Sequence, residues 1–303
     1  MDSEKTGTFI IIIGLFVYGV HPVLVEFGTL FVPPLIFASV AALLTGGMAV
    51  ALRVAKPPRM QPSLSRSDIL RLVMAGVLGT FLAYTGLFLG LQLTSSNNAG
   101  VILRSELAFA LLFGYLFLDE RISFRQAVWM CLMIIGVFFV IATTQLSALS
   151  VGDLLILVTP IAWAGAHTFA KPVLQRVSVW TAVGYRNLVG GALLALLAST
   201  FIAVGIPIYF FPHLWMIVAV IFLEAVVILL AHSLWYAGIR RINLGKATAL
   251  IAPAPLVTFF LSLVVFQVLP TPWQLIGALL VIIATILLSR EVSLHRTLKD
   301  RSF

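Results

Sequence analysis

Ten apolar runs decide what this chain can become. They cover about 8–26, 34–53, 70–92, 97–118, 123–142, 153–172, 179–203, 213–239, 244–266 and 272–289, and a helix crosses a bilayer with roughly 20 such residues. In lipid each backbone polar group must be satisfied within its own helix or in a closed barrel, and runs this long and uniform are not barrel strands. With 61% hydrophobic and 10% charged residues, nothing is left over to build a water-soluble domain, which typically carries about 25% charged residues. The expectation is an all-α membrane protein of ten transmembrane helices. The opening MDSEKTG leads into a long apolar run without an A-x-A site, which reads as an uncleaved first span rather than a signal peptide.

The 19 lysines and arginines are placed unevenly. Lys5 precedes span 1. Arg53, Lys56, Arg59, Arg66 and Arg71 follow span 2, Arg121 and Arg125 follow span 4, and Lys171 and Arg176 follow span 6. Arg240, Arg241 and Lys246 follow span 8, and Arg290, Arg296, Lys299 and Arg301 follow span 10. The loops after the odd-numbered spans hold none, so the positive-inside rule puts both termini in the cytoplasm. The net charge of +8 therefore reflects orientation in a cytoplasmic membrane, and no nucleic-acid partner is expected. Cys131 stands alone in an apolar run, which leaves no disulfide framework and no CxxC metal or redox motif. No metal and no cofactor is expected.

Shifting the chain by 148 lays 82–142 over 230–290 without a gap. Leu82-Ala83 then meets Leu230-Ala231, Gln126 meets Gln274, and Ile122-Ser123 meets Pro270-Thr271. A five-span unit repeated once must be inverted, because five is odd. The expected units are 1–145 and 146–303, the second with a short cytoplasmic tail. Inverted repeats are the build of many secondary transporters, whose site lies near the bilayer midplane between the halves.

Several stretches carry a family resemblance. The end of span 4 reads RSELAFALLFGYLFLDER and its second copy IAPAPLVTFFLSLVVFQV; the runs that follow read RQAVWMCLMIIGVFF and WQLIGALLVIIATILL. Over both halves the chain resembles the drug/metabolite transporter superfamily, in particular its ten-span EamA-type members. The resemblance implies transport, more often export than import. Glu106 occupies the family's span-4 glutamate, but Leu107 follows it where the family has proline, whereas the second copy keeps Pro255 after Ala254. An aromatic followed eight residues later by lysine, common in the first span of each family repeat, is kept as Trp163 and Lys171, while the first copy has Tyr18 and Glu26. Arg186, in GYRN, aligns with Ala42. The halves are chemically unequal.

Ionisable side chains inside a membrane are costly and normally face the bundle interior, where they pair or serve function. Here they are Glu26, Arg104, Glu106, Arg186 and Glu224, with His21, His167 and His232. At about 1.5 Å per residue, Glu106, Arg186 and Glu224 fall near the midplane and are expected to line one central site. A structural ion pair between Arg186 and one carboxylate is the competing reading. Two residues apart on a helix means about 200°, so Arg104 should point away from Glu106, pairing with Glu26 or snorkelling to the outer headgroups; a contact with the substrate is the alternative. Glu106, Glu224, His21 and His167 are the candidates for carrying protons. Tyr18, Tyr84 and Trp163, with Trp235 and Tyr236, are candidate walls of a pocket. Prolines at His21-Pro22 and Pro253-Ala254-Pro255 should loosen the helix backbone.

The function these residues point to is a carrier working by alternating access, moving a small organic solute. An arginine in the cavity suits a carboxylate-bearing metabolite such as an amino acid. The alternative is efflux of cationic or aromatic amphiphiles. An intramembrane enzyme is disfavoured: there is no HExxH, no GxSxG and no aspartate pair inside the spans, no catalytic residue is assigned, and no glycine-rich phosphate loop exists for ATP. The expected partners are the solute, the lipid bilayer and protons; monomer and homodimer both stay open.

Overall fold

Each apolar run becomes helix because nothing in a bilayer competes for the backbone. The computed structural model describes residues 3–55, 64–117, 122–141, 150–205, 213–242 and 244–300. The expected boundary at 145/146 and residues Lys56, Arg59, Arg121 and Arg301 lie outside them. Among the described residues there is no strand. The helices are α1 (Ser3–Gly28), α2 (Pro34–Ala55), α3 (Arg66–Gly76), α4 (Ala83–Gly90), α5 (Ser96–Ile102), α6 (Glu106–Phe117), α7 (Phe124–Ile141), α8 (Val151–Leu174), α9 (Val179–Ala203), α10 (Leu214–Ile239), α11 (Leu244–Ile251), α12 (Ala254–Phe266) and α13 (Pro272–Asp300). A π-helical stretch, Val77–Leu82, joins α3 to α4 into one span, and a 3₁₀ turn, Leu103–Ser105, joins α5 to α6.

Nine spans among the described residues are long and apolar enough to cross a membrane. The run expected over 97–118 is instead the broken pair α5–α6. Its counterpart in the second half, α11–α12, is interrupted at Ala252-Pro253, as the prolines lead one to expect. The other expected weak point does not break: α1 runs through Pro22. The last helix also continues to Asp300, past the expected end near 289.

The main helix pairs recur when the halves are exchanged. α2 packs along its counterpart α9, and α7 along its counterpart α13. α1 lies against α10 and α12, while α8 lies against α3, α4 and α6. Small residues let these pairs approach, as is usual between membrane helices. A Cβ on Gly277 would stand 2.6 Å from the Gly136 carbonyl oxygen, and one on Gly136 would stand 2.9 Å from that of Gly277. Outward faces carry large apolar residues such as Phe16, Leu196, Phe222 and Phe260, far more than a soluble surface tolerates.

Capping explains part of the repeat. The Ser123 amide donates to Gln126 Oε1 at 2.9 Å and the Gln126 amide to Ser123 Oγ at 3.2 Å. Thr271 and Gln274 reproduce this at 2.8 and 3.2 Å. Both are capping boxes that satisfy otherwise orphaned amides, so the aligned glutamines start equivalent helices. At the arginine-rich end, ion pairs join segments: Arg176 to Asp68 at 2.9 Å and Lys246 to Glu4 at 2.8 Å. At the opposite end Asp153 is fully buried. It accepts from Thr94 Oγ1 at 2.7 Å and Asn98 Nδ2 at 3.1 Å, and Gln274 donates to Asn98 Oδ1 at 2.7 Å. That network ties α5, α8 and α13.

Candidate functional site

Between these ends the interior is polar. In α10, Glu224 sits seven positions after Ile217 and eight before His232, so all three face one side of a 3.6-residue helix. Glu224 is 0% exposed, and its Oε1 lies 2.8 Å from His21 Nε2 of α1. The approach is oblique to the ring N–H, so both carboxylate oxygens lack an aligned hydrogen-bond donor. A second histidine–carboxylate pair joins α8 to α6: His167 Nδ1 and Glu106 Oε1 are 2.6 Å apart, with Glu106 still 19% exposed. Each pair has its histidine on the first helix of a half, but the carboxylates come from non-equivalent helices, α10 and α6.

Arg186 of α9 is 1% exposed. It donates from Nη2 to the Gly79 carbonyl at 2.7 Å and from Nη1 to the Tyr236 hydroxyl at 3.1 Å. Trp163 Nε1–H donates to the same Gly79 oxygen at 3.1 Å. Gly79 lies in the π-helical stretch, where a Cβ would come within 2.8 Å of Arg186 Cζ and of Ala166 Cβ. Only glycine brings that carbonyl so close to the guanidinium. Around it, Asn187 Nδ2 and His232 Nδ1 are 3.1 Å apart, and Tyr84 Oη lies 3.5 Å from His232 Nε2. Tyr84 and His232 occupy equivalent positions of the repeat, 148 residues apart, and meet face to face.

The cluster is continuous. The Arg104 guanidinium lies over the Tyr18 ring and that of Arg186 over the Tyr236 ring. Rings close the gaps: Tyr18 to Trp235, His21 to Tyr84, and His167 to Trp235 and Tyr236. Tyr18, His21, Tyr84, Glu106, Trp163, His167, Arg186 and Glu224, all singled out in the sequence, thus lie in one neighbourhood. Gly79 and Asn187 join them; neither carries a sequence signal, since a backbone carbonyl and a neutral amide leave no charge to notice. No group of three or more potential metal ligands occurs among the described residues.

The competing reading of Arg186 as half of an ion pair fails: it meets no carboxylate among the described residues, and its Nη2 and Nη1 donate to Gly79 and Tyr236 while its Nε has no partner. The expectation for Arg104 fails as well. Arg104 neither snorkels nor meets Glu26. It is 6% exposed, with its guanidinium 5.8 Å from the centre of the Tyr18 ring and its Nε without a partner. Glu26 instead accepts the Ser96 amide, at 2.7 Å. The opposite-side argument assumed an uninterrupted helix; the 3₁₀ turn ends between the two residues and α6 restarts at Glu106, so the angle of a regular helix does not apply.

Beside His21 and Glu224 a lateral apolar groove of about 600 Å³ opens between α1, α10 and α12, lined by Val20, Leu24, Phe27, Trp215, Leu223 and Val265 among others.

Known proteins carry the same plan. The chain is 25% identical over 290 residues to a probable amino-acid metabolite efflux pump of Salmonella typhimurium, covering 92% of this chain and 93% of that one. It is 23% identical over 243 residues to the uncharacterized transporter YyaM of Bacillus subtilis, 78% of each chain. A solved crystal structure superposes with a TM-score of 0.65 at 17% identity, over 95% of this chain and 99% of the other, which speaks to the fold alone. The profile of the EamA-like transporter family matches twice, at residues 5–142 and again at 150–290. With both halves matched and the helices paired half against half, the chain belongs to the EamA-like transporter family.

Proposed function

We propose that this transporter is a proton-coupled secondary carrier that exports an amino acid, or a related carboxylate-bearing metabolite, across the cytoplasmic membrane by alternating access. The observation that carries this reading is the pair of histidine–carboxylate contacts, His21 with Glu224 and His167 with Glu106, set beside two arginines that form no salt bridge among the described residues. Histidine titrates near neutral pH and suits proton exchange; the arginines suit an anionic group on the solute. The Salmonella relative's name points the same way. The apolar groove beside His21 favours a second reading, efflux of amphiphilic cations.

Flux in proteoliposomes separates the two. Labelled L-phenylalanine and L-leucine should move saturably and unchanged, accelerated by a pH gradient. No amino-acid flux together with gradient-driven movement of a lipophilic cation would hand the case to the second reading.

The orientation has its own check. In a Cys131→Ala background, Gln267→Cys should react with an impermeant maleimide in intact cells, and Gln175→Cys only after the membrane is opened. Both are exposed and at opposite ends of the bundle. The reverse pattern would put the arginine-rich end outside.

A further inference from the structure

We infer that Arg104 and Glu106 form a clamp for the two charges of a zwitterionic amino acid, with the solute carboxylate on Arg104 and Tyr18 and its ammonium on Glu106. This rests on the transport reading above and names the part of the site that holds the solute. Arg104 remains charged under all ordinary conditions, and a buried charge normally pairs or is hydrogen-bonded. Among the described residues Arg104 has neither: it meets only the face of Tyr18, and its Nε is buried without an acceptor. The other central arginine differs. Arg186 Nε is likewise without a partner, but its Nη2 and Nη1 are spent on Gly79 and Tyr236, so it holds the scaffold while Arg104 keeps its planar fork free.

The second half of the clamp follows from Glu106. Only Oε1 meets His167, and the side chain retains 19% of its surface, which leaves Oε2 able to accept from an ammonium group. Arg104 lies over the face of the Tyr18 ring, and Glu106 follows it by two positions, just past the end of the 3₁₀ turn. A dianion such as phosphate would meet repulsion from Glu106. A monocarboxylate bearing its own cation two bonds away matches both groups. Tyr18, Trp235 and Tyr236 then surround the solute's side chain with rings, which fits an apolar or aromatic residue.

Four probes test it on the purified full-length chain by ligand-induced rise in melting temperature: L-phenylalanine, L-leucine, 3-phenylpropionate (no ammonium) and phenethylamine (no carboxylate). The wild type should bind L-phenylalanine more tightly than either analogue lacking one charge. Arg104→Gln should weaken binding of L-phenylalanine and 3-phenylpropionate by roughly 10- to 100-fold, the loss of a bidentate charged contact, and leave phenethylamine unchanged. Arg104→Lys should recover part of the carboxylate binding, which also shows that the protein still folds. If the wild type binds a carboxylate-bearing probe and Arg104→Gln binds it equally well, the clamp is wrong and the carrier reading stands. If no carboxylate-bearing probe binds the wild type, clamp and substrate class fall together.

Discussion

Glu224→Gln should abolish accumulation of solute driven by a pH gradient while leaving solute exchange at equal pH close to the wild-type rate. The carboxylate is 0% exposed, and its one close neighbour of opposite character is His21, at 2.8 Å. A bare ion at such a place costs several kcal/mol, so the pair is stable only while a proton resides on one member or the other. Releasing that proton requires a conformation that admits water, which is the linkage a coupled carrier needs. Glutamine is neutral throughout the cycle and carries nothing to release, so the two conformations interconvert without reference to pH. Solute binding should survive, because Arg104 and Glu106 are intact. The measurement is counterflow beside gradient-driven uptake of L-phenylalanine in the same proteoliposomes. Gradient-driven accumulation retained by the glutamine variant would remove Glu224 from the coupling path. Its partner pair behaves differently: Glu106 is partly exposed and sits in the clamp, so Glu106→Gln should damage binding first.

The parts of this molecule that the bilayer dictates were legible in the chain. Span lengths follow from the need to satisfy backbone groups in lipid, and the two halves each match the family profile. The same constraint made intramembrane charges conspicuous, which is why His21, Glu106, His167, Arg186 and Glu224 could be named beforehand. Departures from regular helix were not legible. Leu103-Arg104-Ser105 contains neither proline nor glycine, and its 3₁₀ geometry arises where α5 crosses α12, with Gly100 against Thr258. The π-helical stretch Val77–Leu82 is similar: it is one span by hydropathy, yet its geometry and Gly79 place a carbonyl under Arg186. The role assigned by helical angle failed at the 3₁₀ turn, where Arg104 is buried against Tyr18 instead of paired with Glu26.

Arg186 is the other residue whose loss should be severe, although it touches no solute in this account. Its guanidinium joins α9 to the Gly79 carbonyl of the first half and to Tyr236 of α10, so it crosses from one half to the other. Halves that move against one another in alternating access must make or break such a strap. Arg186→Lys keeps the charge but offers a compact ammonium that reaches one acceptor and not both. One hydrogen bond from a charged donor is worth about 1.5–3 kcal/mol. If it exists in one conformation only, its loss shifts the balance between conformations by roughly 10- to 150-fold. Arg186→Lys should therefore fall by at least tenfold in exchange rate at equal pH, the assay that Glu224→Gln passes. Stability should fall less, because Trp163 still donates to Gly79 and keeps that buried carbonyl satisfied. Melting temperature and exchange measured side by side decide the matter. Wild-type exchange in the lysine variant would mean that the strap does not open during transport, and the moving interface would then lie elsewhere, at α2 against α9 or α7 against α13.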